Sequence, residues 1–238
     1  MRRLAVALCV GALAAGAGCG ERPADAPAAS EAEAGPSGAA GKPDASDDAS
    51  AAPGRDVGSY LPEGDPAPTP RPGLVFDVEG MGPIRIELFP DKAPKSVASL
   101  VDLAAQGFYD GTSFHRVVPG FVVQGGDPNS KNRDPRDDGK GGPGYTLADE
   151  FSDVPHRRGI VSMANKGAPG SGGSQFFIVL ADQPDLDGRY TVVGRVTEGM
   201  DVVDRIAGVE TDRYGRWGPP DRPRQNVVIR KATATPAR

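Results

Sequence analysis

Residues 113–127 read SFHRVVPGFVVQGGD, and three of their side chains could do chemistry. Arg116 carries a permanently charged guanidinium with a rigid fork of donors. Gln124 offers an amide that donates and accepts. His115 is one of only two histidines in the chain, the other being His156. An arginine and a glutamine among apolar residues are costly to bury without partners, so both call for a reason. A hydrolytic set of His115, Ser113 and Asp127 is conceivable, but alternation turns His115 away from Arg116 on its strand. What remains is a fixed positive donor beside an apolar wall.

The elements that must hold these groups follow from pattern. Residues 113–118 read as a strand, Pro119-Gly120 as a turn, and residues 121–124 as a second strand ending at Gly125-Gly126. Period-two alternation would place Phe114 and Arg116 on one face. Upstream, residues 73–79 and 84–89 read as strands around a Gly-rich turn, Ile84, Ile86 and Leu88 alternating with Arg85 and Glu87. A helix starts near Pro94, with Asp91 ahead of it and Gly107 after it; Val97, Leu100, Val101 and Ala104 form one apolar stripe. Downstream, strands are predicted over 159–164, 174–180, 191–196 and 226–232, and a second short helix over 200–207. Many short strands, Gly-rich turns and two helices predict a mainly β fold: a closed antiparallel barrel capped by helices.

Two polar stretches, 127–144 and 208–225, read as surface loops, the latter with the only tryptophan, Trp217. From Asp127 an EF-hand pattern fails at Lys131 and Asn132, and Lys140-Gly141 fails the phosphate-loop pattern, which needs Ser or Thr after the lysine. Both cysteines, Cys9 and Cys19, precede residue 20, so the rest of the chain has no thiolate metal site and no disulfide.

The elements F-H-R, P-G-F and Q-G-G-D in residues 113–127, with GIVSMAN at 159–165 and GSQFFIVL at 173–180, closely resemble the signature of cyclophilin-type peptidyl-prolyl isomerases, over roughly residues 73–233. The resemblance implies a closed eight-stranded barrel with two helices, no cofactor and no metal, and a pocket for proline-containing peptides. It implies that Arg116 stabilises the twisted prolyl amide, with Phe121 and Gln124 beside it as catalytic residues. Phe121, Val122, Phe177 and Leu186 match the pocket wall, with Ala164 next to it. Gln124 matches an amide that binds substrate backbone and steadies the arginine. Asn165 matches a partner of the substrate main chain, and Gln175 lines the groove. Gln175 and Phe177, two apart, share a strand face, while Phe176 points to the core. Within QPDLDGRY, Asp185 stands where many members have Trp and Tyr190 where many have His, which implies weak cyclosporin binding with activity retained. The alternative reading is a non-catalytic peptide-binding or scaffold module on the same fold.

Charge divides the chain. Residues 20–70 hold ten acids and three bases, residues 71–238 hold 22 of each, and Arg2 and Arg3 bring the net to -5. A neutral folded part gives no basic excess for nucleic acid, and a monomer is expected. Residues 1–19 open with two arginines and a short apolar run, the plan of an export signal. Cys19 resembles a bacterial lipoprotein processing site, although Gly16 stands where a larger apolar residue is usual. A lipid on Cys19 would tether the protein to a membrane in the cell envelope, the outer membrane being favoured by Gly20, and the clients would be exported polypeptides. Ordinary cleavage to a soluble exported protein and an uncleaved anchor are the alternatives. Residues 20–72, rich in Ala, Pro and Gly with almost no large apolar residue, read as a disordered acidic linker. The isomerase-like domain would occupy 73–238.

Overall fold

The computed structural model describes residues 70–237. The signal segment, Cys19 and nearly all of the acidic linker lie outside the described residues. Ten strands and two helices follow in chain order. They are β1 (Gly73–Val78), β2 (Gly82–Leu88), α1 (Pro94–Ala105), β3 (Arg116–Val118), β4 (Val122–Gly125), β5 (Ile160–Met163) and β6 (Phe176–Val179), then β7 (Val192–Glu198), α2 (Met200–Ala207), β8 (Thr211–Asp212), β9 (Arg222–Pro223) and β10 (Ile229–Thr235).

Eight strands form one antiparallel sheet in the order β10-β1-β2-β7-β5-β6-β4-β3. Its two ends meet. Gly111 N donates to Ile229 O (2.8 Å), Ile229 N to Thr112 O (2.7 Å) and Phe114 N to Val227 O (2.9 Å). The chain just before β3 is thus bonded to the chain entering β10, and the edge groups that an open sheet would expose are satisfied. This closure also explains two departures from the sequence reading. The last strand is shifted to Ile229–Thr235, because residues 227–229 are engaged in closing the barrel. Phe114 and Arg116 do not share a face: regular alternation begins only at Arg116, so Phe114 is fully buried in the barrel core while Arg116 is half-exposed.

The core inside the barrel is built around Phe76, Tyr109, Phe114 and Phe176. Phe76 and Phe176 stack at 4.9 Å, and Tyr109 meets both edge-on at about 6 Å. Pairs of this geometry contribute about 0.5–1.5 kcal/mol each beyond area burial. Burial pushes the Tyr109 phenol far up, and its hydroxyl donates to Ser174 O. Both helices lay their apolar stripes on this core, Val97, Leu100, Leu103 and Ala104 from α1 and Val202, Val203 and Ile206 from α2. Asp91 does not cap α1. The Glu150 carboxylate, 54 residues on, accepts from Ser96 N (2.8 Å) and Lys95 N (3.0 Å) and satisfies the helix start instead.

The two polar loops carry more order than their composition indicates. Short 3₁₀ turns occupy Pro128–Lys131 and Pro135–Asp137, each opened by an aspartate accepting from the backbone two residues on. Residues 208–225 contain the two-stranded ribbon of β8 and β9.

Candidate functional site

The site begins with alternation along β6. Phe176 points into the barrel, while Phe177 points out and joins a second apolar cluster. Val122 and Val179 belong to that outer cluster, as do Phe89, Ile160 and Val192; Phe121, Ala164, Leu186 and Tyr190 pack at its margin. The five residues predicted to shape a proline pocket, Phe121, Val122, Ala164, Phe177 and Leu186, therefore meet on one outer patch of the barrel, with Tyr190 beside them. The Tyr190 ring stands edge-on to Phe177 at 5.2 Å.

Register brings the polar groups to this patch. Arg116 pairs with Gln124 across β3 and β4, and Gln124 pairs with Phe177 across β4 and β6. The Gly120 turn, at φ 73°, returns the chain so that Phe121 flanks the arginine, its ring centroid 6.0 Å from the guanidinium carbon. The Arg116 guanidinium makes no hydrogen bond or ion pair with any described residue. The Gln124 amide does not hold it: Gln124 Nε2 donates to Gln175 Oε1 (3.0 Å). Gln175 Nε2 in turn donates to Gly139 O (3.0 Å) and Gly141 O (2.9 Å), which ties the amide pair to the 127–144 loop. Gln124, Ala164, Asn165 and Gln175 line one cavity of about 400 Å³. Asn165 spends its carbonyl on Gly167 N and donates one long bond to Arg189 O (3.3 Å), leaving donor capacity toward a ligand.

His115 is a packed residue, 3% exposed, and belongs to no hydrolytic set. Neither of its ring nitrogens reaches a hydrogen-bond partner, since the Gln175 amide beside it is committed elsewhere. Burial pushes its pKa down, against the pull of Asp127 and Asp138. Asp127 is occupied by the backbone of Asn129 and Gly139.

A set that the sequence reading missed lies behind the pocket. His156 Nδ1 meets Asp187 Oδ1 at 2.8 Å, and His156 Nε2 meets Ser162 Oγ at 2.9 Å. The connectivity is that of a nucleophile triad, but Ser162 is wholly buried in β5 with no room for a substrate carbonyl. Its role is positional. The carboxylate fixes Nδ1 as donor, so Nε2 accepts from the serine. Burial holds His156 below the usual histidine range, outweighing the Asp187 carboxylate. The imidazole lies 6.2 Å from the Phe177 ring and 6.4 Å from Tyr190, and His156 O accepts from Gln183 N. The loop carrying Leu186 and Tyr190 is thereby pinned to the barrel. No local motif marks this set, because its three members are brought together only by the fold.

A barrel with an outer apolar pocket, an uncommitted guanidinium at its rim and an amide pair on its floor defines a peptide-binding protein built to hold an apolar ring beside a fixed positive donor. Comparison narrows the class. The family model described as "Cyclophilin type peptidyl-prolyl cis-trans isomerase/CLD" matches residues 74–234, and the chain belongs to this family. It is 47% identical over 151 residues to peptidyl-prolyl cis-trans isomerase-like 1 of Rhizopus delemar, covering 61% of this chain and 86% of that protein. A probable peptidyl-prolyl cis-trans isomerase of Brucella suis is 46% identical over 146 residues, covering 59% of this chain and 74% of that protein. A cyclophilin-type isomerase of Cryptosporidium parvum superposes with a TM-score of 0.62 at 30% identity, covering 71% of this chain and 99% of that one; a crystal structure obtained in the presence of the dipeptide Ala-Pro superposes at 0.60.

Proposed function

We propose that this chain accelerates cis–trans rotation about X-Pro bonds of exported polypeptides. The observation that carries the reading is the Arg116 guanidinium, free of internal partners at the rim of the Phe121–Phe177 pocket. Amide resonance sets the uncatalysed barrier at roughly 18–20 kcal/mol, and exchange takes tens to hundreds of seconds. Reaching milliseconds requires about 6 kcal/mol of binding that exists only in the transition state. No nucleophile or proton transfer to carbon is needed. As the bond twists, the prolyl nitrogen regains a lone pair, and a donor aimed at it stabilises the twisted state over the planar one. Phe121, Val122, Phe177, Leu186 and Tyr190 hold the ring; Gln124, Asn165 and Gln175 take the flanking peptide backbone.

The N-terminal residues support export, with lipid attached to Cys19 and the acidic segment as spacer; mass spectrometry of the mature N-terminus tests this. For the activity itself, the full chain is added to an Ala-Pro peptide and exchange between isomers is followed by NMR. Acceleration supports an enzyme. Binding of the peptide without acceleration would instead identify a peptide-binding module on the same barrel.

A further inference from the structure

The loops 127–144 and 208–225 meet. The buried Asp138 carboxylate pairs with Arg222, and Gly218 sits so close to Pro135 that a Cβ there would fall 2.7 Å from its carbonyl oxygen. Between them lies a groove of about 990 Å³ lined by Arg133, Arg136, Lys140, Arg216 and Trp217, with Asp134 as its one carboxylate. Asp134 is already engaged by Arg136. Arg133 and Arg216 form no hydrogen bond or ion pair with any described residue; the Arg216 guanidinium lies 5.8 Å from the Tyr214 ring. Trp217 is 62% exposed, yet its backbone is fixed by the Asp212 carboxylate. The Arg224 guanidinium, paired with Glu210, lies 5.8 Å from the Trp217 ring, and the rest of the exposed ring offers a flat apolar surface beside Arg133 and Arg216. Lys140 lines this groove and also the cavity of Gln124, Asn165 and Gln175, so the two adjoin at that side chain.

We propose that the groove is an extension of the proline site that selects client polypeptides carrying an acidic stretch a few residues from the proline. The inference rests on the isomerase reading. A polypeptide is the ligand because the groove adjoins a site shaped for peptide, and carboxylates are its recognised groups because guanidinium forks match them. Trp217 supplies the face on which apolar or proline residues of the same stretch pack.

The test uses the full chain and a short neutral Ala-Pro peptide, alongside peptides in which the same Ala-Pro core is joined to a run of glutamates. Spacers of about three, six and nine residues cover roughly 10–30 Å of extended chain. At low salt the best acidic peptide should exceed its glutamine counterpart in kcat/KM by about fivefold, the scale of a few exposed ion pairs. The advantage should vanish near 0.5 M salt, where screening extends over only about 4 Å. Arg133→Ser with Arg216→Ser should abolish it and leave the neutral peptide's rate unchanged. Trp217, the only tryptophan, should shift its emission on titration with the acidic peptide. Equal turnover of acidic and glutamine peptides at low salt overturns the proposal, as does an advantage that survives in the double variant. An emission shift caused by an oligothymidylate but not by the acidic peptide overturns it in favour of a nucleic-acid site. If no peptide is isomerised, the isomerase reading fails, and the Trp217 titration still decides whether the groove takes acidic peptide.

Discussion

Replacing Arg116 with alanine should separate activity from stability. A structural arginine would be held by a carboxylate or a carbonyl, and its loss would leave that partner unpaired. Arg116 has no such partner; its one ring contact is Phe121 at 6.0 Å. At a half-exposed site that contact contributes about 0.5–1 kcal/mol. The expected loss of stability is therefore below about 1 kcal/mol, or less than about 2–4 °C in melting temperature for a domain of this size. The transition state loses more. A hydrogen bond from a charged donor contributes about 1.5–3 kcal/mol, which converts to a fall of about 10- to 150-fold in kcat/KM. Arg116→Lys keeps the charge but not the fork and should recover only part of that loss. The measurements are NMR exchange on an Ala-Pro peptide and thermal unfolding of the same samples. An unchanged kcat/KM for Arg116→Ala would refute the assignment. So would a parallel collapse of activity and melting temperature, because it would show the arginine to be structural.

Three further outcomes follow from the geometry. His156→Leu removes both bonds of the buried relay and leaves Ser162 unpaired, so it should cost about 1–3 kcal/mol in denaturant unfolding and raise KM through Leu186 and Tyr190. His115 and His156 both titrate below the usual histidine value in the folded chain, so at mildly acidic pH the unfolded chain binds more protons. Their stabilisation is whole above the unfolded pKa near 6.5 and is lost as pH falls toward the lower folded values, at up to about 1.4 kcal/mol per pH unit for each; pH-dependent denaturation should show the decline, and His156→Gln should remove its share. Glu150→Ala strips the cap from α1 and should cost about 1 kcal/mol, measurable as a lower denaturant midpoint, with the rate on a neutral peptide unchanged.

Much of the barrel was legible because its strands are short, alternating and punctuated. Ile84, Ile86 and Leu88 are all buried as their spacing requires, and the helix stripe from Val97 to Ala104 faces the core. Period two puts Phe176 and Phe177 on opposite faces, the family resemblance says which of them lines the pocket, and the structure has Phe176 inward and Phe177 outward. The same rule failed at Phe114, for a physical reason. Residues 111–114 bond to 227–229 to close the barrel, so the chain reaches Arg116 from an irregular segment in which parity does not carry over. Nothing within a window of a dozen residues encodes a contact made more than a hundred residues away.

What stayed illegible shares one property: each arrangement is assembled from distant polar residues that look like surface when read singly. Ser162, His156 and Asp187 come from a strand, a loop and the end of a 3₁₀ turn; only their burial turns them into a relay. Arg133 lies in a loop with four acids and four bases and Arg216 in one with three acids and four bases, so net charge barely marks them. The fold concentrates them by pairing Asp134, Asp138 and Glu210 with Arg136, Arg222 and Arg224. That pairing takes up three carboxylates of these loops and leaves Arg133 and Arg216 without an ion pair among the described residues. The local field of the groove is thus a consequence of which ion pairs the fold satisfies. For that reason a domain with equal numbers of acids and bases can still gather cationic side chains around Trp217, with Lys140 bordering the cavity of Gln124 and Gln175.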